Sequence, residues 1–544
     1  MSAQKSRLTF YMPLAMLVLG AMAILYICTP TGVGLANDSV AYIAGARSIL
    51  QGTGYSDIWL DSSLEAITHY PPLLSLTLAV IGALGIDPLR GARILNILLY
   101  GTNIGLMGLL GWRMTKSHMA GILLALLFLL NASLLRIHIF AMSEPLFLFF
   151  SLLSFLFFDF SLEARNSELV TRYSLLLTGF LTGLAFLTRY SGLALIATFL
   201  VALILLRTNW RSRFSSLALF LGGAVPPLAA WFIRNKLVAG NVTNRTFQYH
   251  PITAENIQPG IYNFSQFLMP IETWRRGLVK AGAVEWIILG LALILLVWVI
   301  ITAWKLLFQS PNHPITQSSN LPVSLSTCLP FTIALYIFAY LGAVLFSMSF
   351  FDASTKFQPR ILAPIYVSLM VLFVAVVAKP LTTKFTKISK ENLSLFLHGL
   401  AALSVVFVLG LSTFDFRQTV LTLQEAGQGY ASWKWRDSMV MAELKKLPSG
   451  MAIYTNSPPA IYLVTGRASR VLPTPRDPVD NRPRGDYEQN VAQMRADLLA
   501  GRAVLALFDT TSIEDALGAE NVAQFTAGLT LLEKAQGDTL YGIP

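Results

Sequence analysis

Residues 284–304 read VEWIILGLALILLVWVIITAW, twenty-one residues with a single charge, Glu285. A helix of about 20 apolar residues matches a hydrocarbon core of about 30 Å, so this stretch reads as a membrane span. Working outward in both directions, comparable apolar blocks recur at 8–29, 93–111, 119–135, 145–160, 174–188, 191–206, 214–234, 325–350, 361–378 and 394–413. That makes about eleven spans. The composition agrees: 54% of the 544 residues are hydrophobic and 13% are charged, against about 25% charged in a soluble domain. So little charge cannot cover a water-exposed surface, and the lipid bilayer is the expected partner of the apolar excess.

The net charge of +11 does not point to nucleic acid. Lys5/Arg7, Arg113/Lys116, Arg165/Arg172, Arg207/Arg211/Arg213, Lys305 and Lys379/Lys384/Lys387/Lys390 all fall on one side of the eleven-span arrangement. By the positive-inside rule that side is cytoplasmic. An odd number of spans then places the C-terminal part outside. The first block begins with basic residues but is long and has no small-x-small cleavage site, so it reads as an uncleaved first helix. Cys28 and Cys328, the two cysteines, lie in apolar blocks and read as small core residues.

Residues 71–86, PPLLSLTLAVIGALGI, interrupt the scheme. Counted as a span they would move Arg113 and Lys116 to the opposite side, so they are expected to form a helix at the outer interface. Residues 39–50 are expected to form a second. After residue 413 the rhythm changes. MAIYT (451–455) and AVLALFDT (503–510) are strand-like, with a helical stretch at 486–499 between them and Pro- and Gly-marked turns around them. The expected division is a transmembrane domain at 1–413 and a small extracytoplasmic α/β domain at 414–544, a parallel βαβ element being one possibility.

Ionisable residues beside apolar spans are costly and are functional candidates for that reason. On the outer face the carboxylates nearest span ends are Asp38, Glu144 and Asp352. Asp38 has an alternative reading as the N-cap of a helix starting near Ser39. Glu144 has one as a helix-start charge favoured by the macrodipole. Asp352 is expected to pair with Arg360 or Lys356. Arg189, Arg234 and Arg360 share that face, and arginine suits bidentate clamping of phosphate oxygens, with snorkelling as the bland alternative. His69, Tyr70 and His138 are further polar groups there. Trp433 and Trp435 in the tail fit either a contact patch or ordinary packing.

Several stretches resemble, in order and spacing, the GT-C superfamily of polytopic glycosyltransferases, in the branch of the protein O-mannosyltransferases and the lipid A aminoarabinose transferase. They are Asp38 with Tyr42, RSILQGTGY (47–55), YPPL (70–73), ARILN (92–96), SEPL (143–146), LTRYSG (187–192), WFIRN (231–235), RILAPIY (360–366) and IYTNSPP (453–459). The resemblance implies a polytopic all-α membrane fold with two interfacial helices in the first outer loop. It also implies transfer of a sugar from a polyprenyl-phosphate donor to an extracytoplasmic acceptor (protein, lipid or glycan), usually with inversion at the anomeric carbon. The family's catalytic first-loop acid maps onto Asp38. Many relatives carry two adjacent acids there, whereas this chain has Asn37 before Asp38.

The expected roles follow. Asp38 is the catalytic base and Glu144 a second carboxylate. Arg189 and Arg360 bind the donor phosphate, and Tyr42, His69 and Tyr70 line the substrate site. The outer loops contain no DxD motif, which favours metal independence and leaves a divalent cation open. Asp38 and Glu144 remain the oxygen ligands available to Mg²⁺ or Mn²⁺. The expected location is a bacterial inner membrane. A lipid or glycan flippase and an inactive scaffold are the competing readings. Clustering of the charges at one surface counts against the flippase, since transporters bind near the bilayer midplane.

Overall fold

The computed structural model describes residues 2–61, 64–163, 167–207, 209–240, 242, 247–308, 325–352, 355–382, 391–476 and 482–543. All eleven apolar blocks are helical. Nine helices among the described residues are long and apolar enough to cross a membrane. They are α1 (Ser2–Cys28), α4 (Pro88–Thr115), α7 (Glu144–Glu163), α8 (Glu168–Thr188), α10 (Trp210–Ala239), α13 (Ala283–Phe308), α14 (Leu325–Phe350), α15 (Pro359–Thr382) and α16 (Glu391–Ala426). The expected polytopic helical fold is therefore observed.

The remaining two blocks differ from simple spans. Block 119–135 folds as α5 (His118–Leu129) and α6 (Ala132–Ile139), bent by 61°. The reason is local: Asn131 sits at the break and its side chain accepts the Leu134 N–H at 2.9 Å, starting a new helix. Block 191–206 gives α9 (Leu193–Leu206) after a 3₁₀ turn at Tyr190–Gly192. Fourteen residues reach about 21 Å, short of a full crossing.

The bundle core holds Tyr100, Phe128, Phe158, Phe199, Tyr336 and Tyr366. Cys28 and Cys328 are both buried and unbridged. By contrast only 11% of the apolar window of α13 is buried, with Trp286 and Ile294 about two-thirds exposed or more. Such a face is stable against lipid and not against water. Arg165, Lys384, Lys387 and Lys390 lie outside the described residues. At the far end of α4 and α7, Arg113 Nε contacts Asp159 Oδ2 at 2.6 Å and also holds Glu163, which Lys116 Nζ reaches at 2.8 Å.

The segment between α1 and α4 carries α2 (Asn37–Leu50) and α3 (Leu73–Ala83). Both are too short to cross. They pack on one another through Val40, Ile43, Leu74, Leu78 and Ala79. Helices α11 (Ala254–Leu268) and α12 (Glu272–Lys280) interrupt the loop between α10 and α13.

The tail is an α/β unit. β1 (Ala452–Thr455), β2 (Arg470–Val471), β3 (Ala503–Leu507), β4 (Thr530–Ala535) and β5 (Asp538–Gly542) form one sheet in the order β2-β1-β3-β5-β4. β1 pairs with β3 in parallel, Ala452 opposite Ala503, and the Tyr487–Leu499 helix lies between them in sequence. This is the βαβ element. β3 is buried along its whole length, as a central strand of apolar residues requires. The last membrane-domain helix, α16, continues to Ala426, beyond the last apolar block.

Candidate active site

A short backbone ladder brings Asp38 and Glu144 together. Gly34 bridges to Phe140 and Leu35 to Gly429, both in parallel. The Gly34 N–H donates to the Ile139 carbonyl at 2.9 Å, and the Ala141 N–H donates back to Gly34 at 2.9 Å. One side of the ladder runs into α2 and Asp38. The other runs through Ser143 into Glu144, the first residue of α7. Residues a hundred apart in sequence thus share one face.

Asp38 is the second residue of α2. Ala36 is the N-cap residue and the Ser39 hydroxyl accepts its N–H at 2.9 Å, so Asp38 is not the cap. Its carboxylate turns to two donors. Arg360 Nη1 lies 2.6 Å from Oδ2, and the Tyr70 hydroxyl donates to Oδ1 at 3.0 Å. Burial pushes the Asp38 carboxyl up, but the Arg360 charge and hydrogen bond, the Tyr70 hydroxyl and the Arg189 charge outweigh it. The net effect is a pKa below the ordinary carboxylate value, so Asp38 is ionised at neutral pH. Burial and the Asp38 charge push the Tyr70 phenol up, so it keeps its proton and acts as a donor.

Arg360 opens α15 just after Pro359, and its Nε donates to Gln358 Oε1 at 2.9 Å. From the sequence Asp352 is expected to pair with Arg360 or Lys356; Arg360 is paired with Asp38. The structure brings this carboxylate to the guanidinium from 322 residues away.

Arg189 stands at the break between α8 and the 3₁₀ turn, in extended conformation (φ −152°, ψ 136°). Gly192 allows the chain to fold back there: a Cβ at this position would lie 2.6 Å from the Phe186 backbone. Arg189 Nη1 lies 2.6 Å from Glu144 Oε1 and donates a hydrogen bond to the Ser143 hydroxyl at 3.2 Å. The Tyr42 hydroxyl also donates to Ser143, at 3.1 Å. Glu144 is 2% exposed, and neither of its carboxylate oxygens receives a hydrogen bond. Its charge is balanced by Arg189, as burial of a carboxylate requires, while its oxygens keep hydrogen-bonding capacity beside the cavity.

Two cavities meet at the Asp38–Arg360 pair. The smaller, about 450 Å³, is bounded by the start of α2, by α6, and by Glu144, Gln266, Gln358 and Arg360. The larger, about 630 Å³, is lined by Asp38, Tyr42, His69, Tyr70, Ser143, Arg189, Tyr340, Lys356 and Arg360. Its wall continues along Leu193, Val344 and Phe346, the first and last of which are about half exposed on the outside of the bundle. His69 packs edge-on against Tyr70, 5.0 Å between ring centroids.

All seven site residues expected from the sequence therefore line these cavities. Two other candidates do not. Arg234 donates to the carbonyls of Ile67 and Tyr55 at 2.6 and 2.9 Å and staples the segment between α2 and α3. His138 is fully buried, with its ring nitrogens on Asn103 and the Leu134 carbonyl. Sequence reasoning missed the linking role of Ser143 and missed Tyr340 entirely. Tyr340 lies mid-block in an apolar run, where a tyrosine is indistinguishable from core packing.

A carboxylate pair next to arginines raises the question of a divalent cation. The fit is poor. Asp38 and Glu144 each already face a guanidinium, and no group of three His, Cys, Asp or Glu among the described residues is placed to hold a metal.

Residues 70–238 match the family model for dolichyl-phosphate-mannose-protein mannosyltransferase. No curated protein sequence matches the chain. Among solved structures, ArnT from Cupriavidus metallidurans bound to undecaprenyl phosphate superposes with a TM-score of 0.54 at 12% identity, covering 97% of each chain. The Archaeoglobus fulgidus oligosaccharyltransferase with zinc and sulfate gives 0.55 at 11% identity, covering 97% of this chain and 74% of that one. The archaeal oligosaccharyltransferase AglB from Archaeoglobus fulgidus, in complex with an inhibitory peptide and a dolichol-phosphate, gives 0.51 at 13% identity, with 99% and 75% covered. The fold is that of the GT-C membrane glycosyltransferases. The matched family segment begins at Tyr70 and includes Glu144 and Arg189, so within this GT-C fold it takes in much of the cavity wall just described.

Proposed function

We propose that the chain is a membrane glycosyltransferase that moves a sugar from a polyprenyl-phosphate donor to an acceptor hydroxyl outside the cytoplasm, with inversion at the anomeric carbon. The observation that carries this reading is the Asp38 carboxylate, held by Arg360 and Tyr70 where two cavities meet. A transferase needs two substrates to converge on one base. The larger cavity suits the donor: Arg189, Arg360 and Lys356 supply positive charge for the phosphate, tyrosines and His69 face the sugar, and the Leu193–Val344–Phe346 wall leads the prenyl chain out to lipid. The smaller cavity, with Glu144, suits the acceptor.

The step is a single displacement. The acceptor oxygen attacks the anomeric carbon and gives its proton to Asp38. The carbon–oxygen bond to phosphate breaks, and its electron pair leaves on the polyprenyl phosphate. Arg360, no longer opposed by an ionised Asp38 once that carboxylate takes the proton, is free to meet the charge developing on the phosphate, with Arg189 beside it. A base in this role contributes roughly 10²–10⁴-fold. Attack and departure on opposite sides of one carbon give inversion. The mechanism routes no step through a cation.

The enzyme's place is a bacterial inner membrane, with the N-terminus inside and the tail outside. Resemblance to the bacterial ArnT fold and the basic ends of the loops support this. The test is transfer of label from radiolabelled polyprenyl-phosphate sugars by the purified protein in nanodiscs, with membrane extract as acceptor. Label entering an acceptor with the wild type and not with Asp38→Ala supports the reading. No transfer from any donor by folded protein overturns it.

A further inference from the structure

Asp38 sits in the first turn of α2, whose one internal side-chain hydrogen bond is that from the Ala36 N–H to the Ser39 hydroxyl. The residue at its N-cap is Ala36, which makes no side-chain capping hydrogen bond. First-turn N–H groups lack intrahelical partners, and an uncapped helix end costs about 1 kcal/mol relative to a capped one. A catalytic group needs placement to within about 0.5 Å. Something outside the helix has to supply that restraint.

The tail domain supplies it. The Leu35 N–H donates to the Gln428 carbonyl at 3.3 Å and the Tyr430 N–H donates to Leu35 at 2.9 Å. The approach is so close that a Cβ on Gly429 would lie 2.0 Å from the Leu35 oxygen, and Gly429 has φ +57°. The Tyr430 hydroxyl donates to the side-chain oxygen of Asn37, the residue before Asp38. The Tyr430 ring stands edge-on to Trp435 at 4.9 Å, and Trp435 packs on Phe508 at 5.0 Å, directly after β3. A continuous line of contacts therefore runs from the central strand of the tail sheet to the base. The tail also grips α2 farther along, where Arg47 lies 5.6 Å from the Tyr462 ring centroid.

We propose that Tyr430 is a positioning residue: through Asn37 it fixes the first turn of α2, so that the C-terminal domain sets the placement of Asp38 at the junction of the two cavities. The proposal rests on the transferase reading above. It also gives Asn37 its own task as the acceptor for Tyr430.

The test is Tyr430→Phe, which removes one oxygen and keeps the aromatic packing, together with Asn37→Leu and the double variant. Misplacement of a catalytic group by 1 Å is worth up to about 10²-fold. The expected result for each single variant is a kcat about tenfold lower, with the donor KM within about twofold and Tm unchanged. The double variant should be no worse than either single one, as two ends of one interaction require. Amide hydrogen exchange over residues 33–42 should speed up in Tyr430→Phe. Wild-type kcat in Tyr430→Phe, or additive losses in the double variant, overturns the proposal. Should the wild type transfer no sugar, the transferase reading fails, and exchange over 33–42 still decides the clamp: unchanged exchange overturns it.

Discussion

Helix α7 has a carboxylate–arginine cluster at each end, about 30 Å apart. At one end Arg113 holds Asp159 and Glu163, and Lys116 adds a second contact to Glu163. Every charge there has a hydrogen-bonded partner, and neither cavity reaches it. At the other end Arg189 faces Glu144 and Arg360 faces Asp38. There both Glu144 oxygens lack a hydrogen bond, and two cavities open onto the pairs. The residue types are the same. What separates a structural ion network from a site is the unfilled hydrogen-bonding capacity and the space beside it.

The comparison breaks most sharply at Asp38. Asp38→Asn keeps the Tyr70 and Arg360 contacts sterically possible and removes the base, and transfer is expected to fall 10²–10⁴-fold at normal expression. Steady-state label transfer measures it; retained activity sinks the base assignment. Glu144→Gln comes next. A hydrogen bond to a charged group is worth about 1.5–3 kcal/mol, so the acceptor KM should rise about tenfold to a hundredfold while donor binding holds.

Acid titration sharpens the same contrast. The Asp38 pKa is depressed in the folded enzyme, so the base is ionised across neutral and mildly acidic pH, and kcat/KM should fall only as pH drops through that depressed value. Arg360→Gln removes the main charge holding it down. The acid limb should then move to higher pH, on top of a loss of phosphate stabilisation. A pH–rate profile in which the limb stays put would remove Arg360 from Asp38's electrostatics.

How much of this was legible beforehand depended on the range of the signal. Apolar blocks announce helices locally, and the strands at 452–455 and 503–507 with their intervening helix are readable from short apolar runs and the turns around them. The break at Asn131 was not, because one capping residue inside an apolar run looks like tolerated polarity. Asp38, Glu144, Arg189 and Arg360 stood out because charge beside a span is costly. Their pairing was not legible. Asp352 is eight residues from Arg360, and proximity in sequence favoured it, whereas the observed partner is 322 residues away. That contact depends on the ladder from Gly34 to Phe140 and Gly429, which no local pattern encodes. The tail's hold on Asn37 was hidden for the same reason.

The far cluster carries the smallest expected effects on chemistry. Asp159→Ala strips the buried Arg113 of its one buried partner and leaves it only the half-exposed Glu163, the Arg113 and Asp159 side chains being 9% and 5% exposed. Stability should drop by about 3 kcal/mol, visible in the thermal midpoint, with transfer per folded molecule within twofold of wild type. Lys116→Ala should do less still. Its pair with Glu163 is 58% and 40% exposed, and exposed pairs are worth about 0–1 kcal/mol, so neither midpoint nor transfer should move measurably. A loss of transfer in either variant comparable to that of Asp38→Asn would mean that the two ends of α7 are coupled. The division between a filled network and an open site would then no longer mark where the chemistry happens.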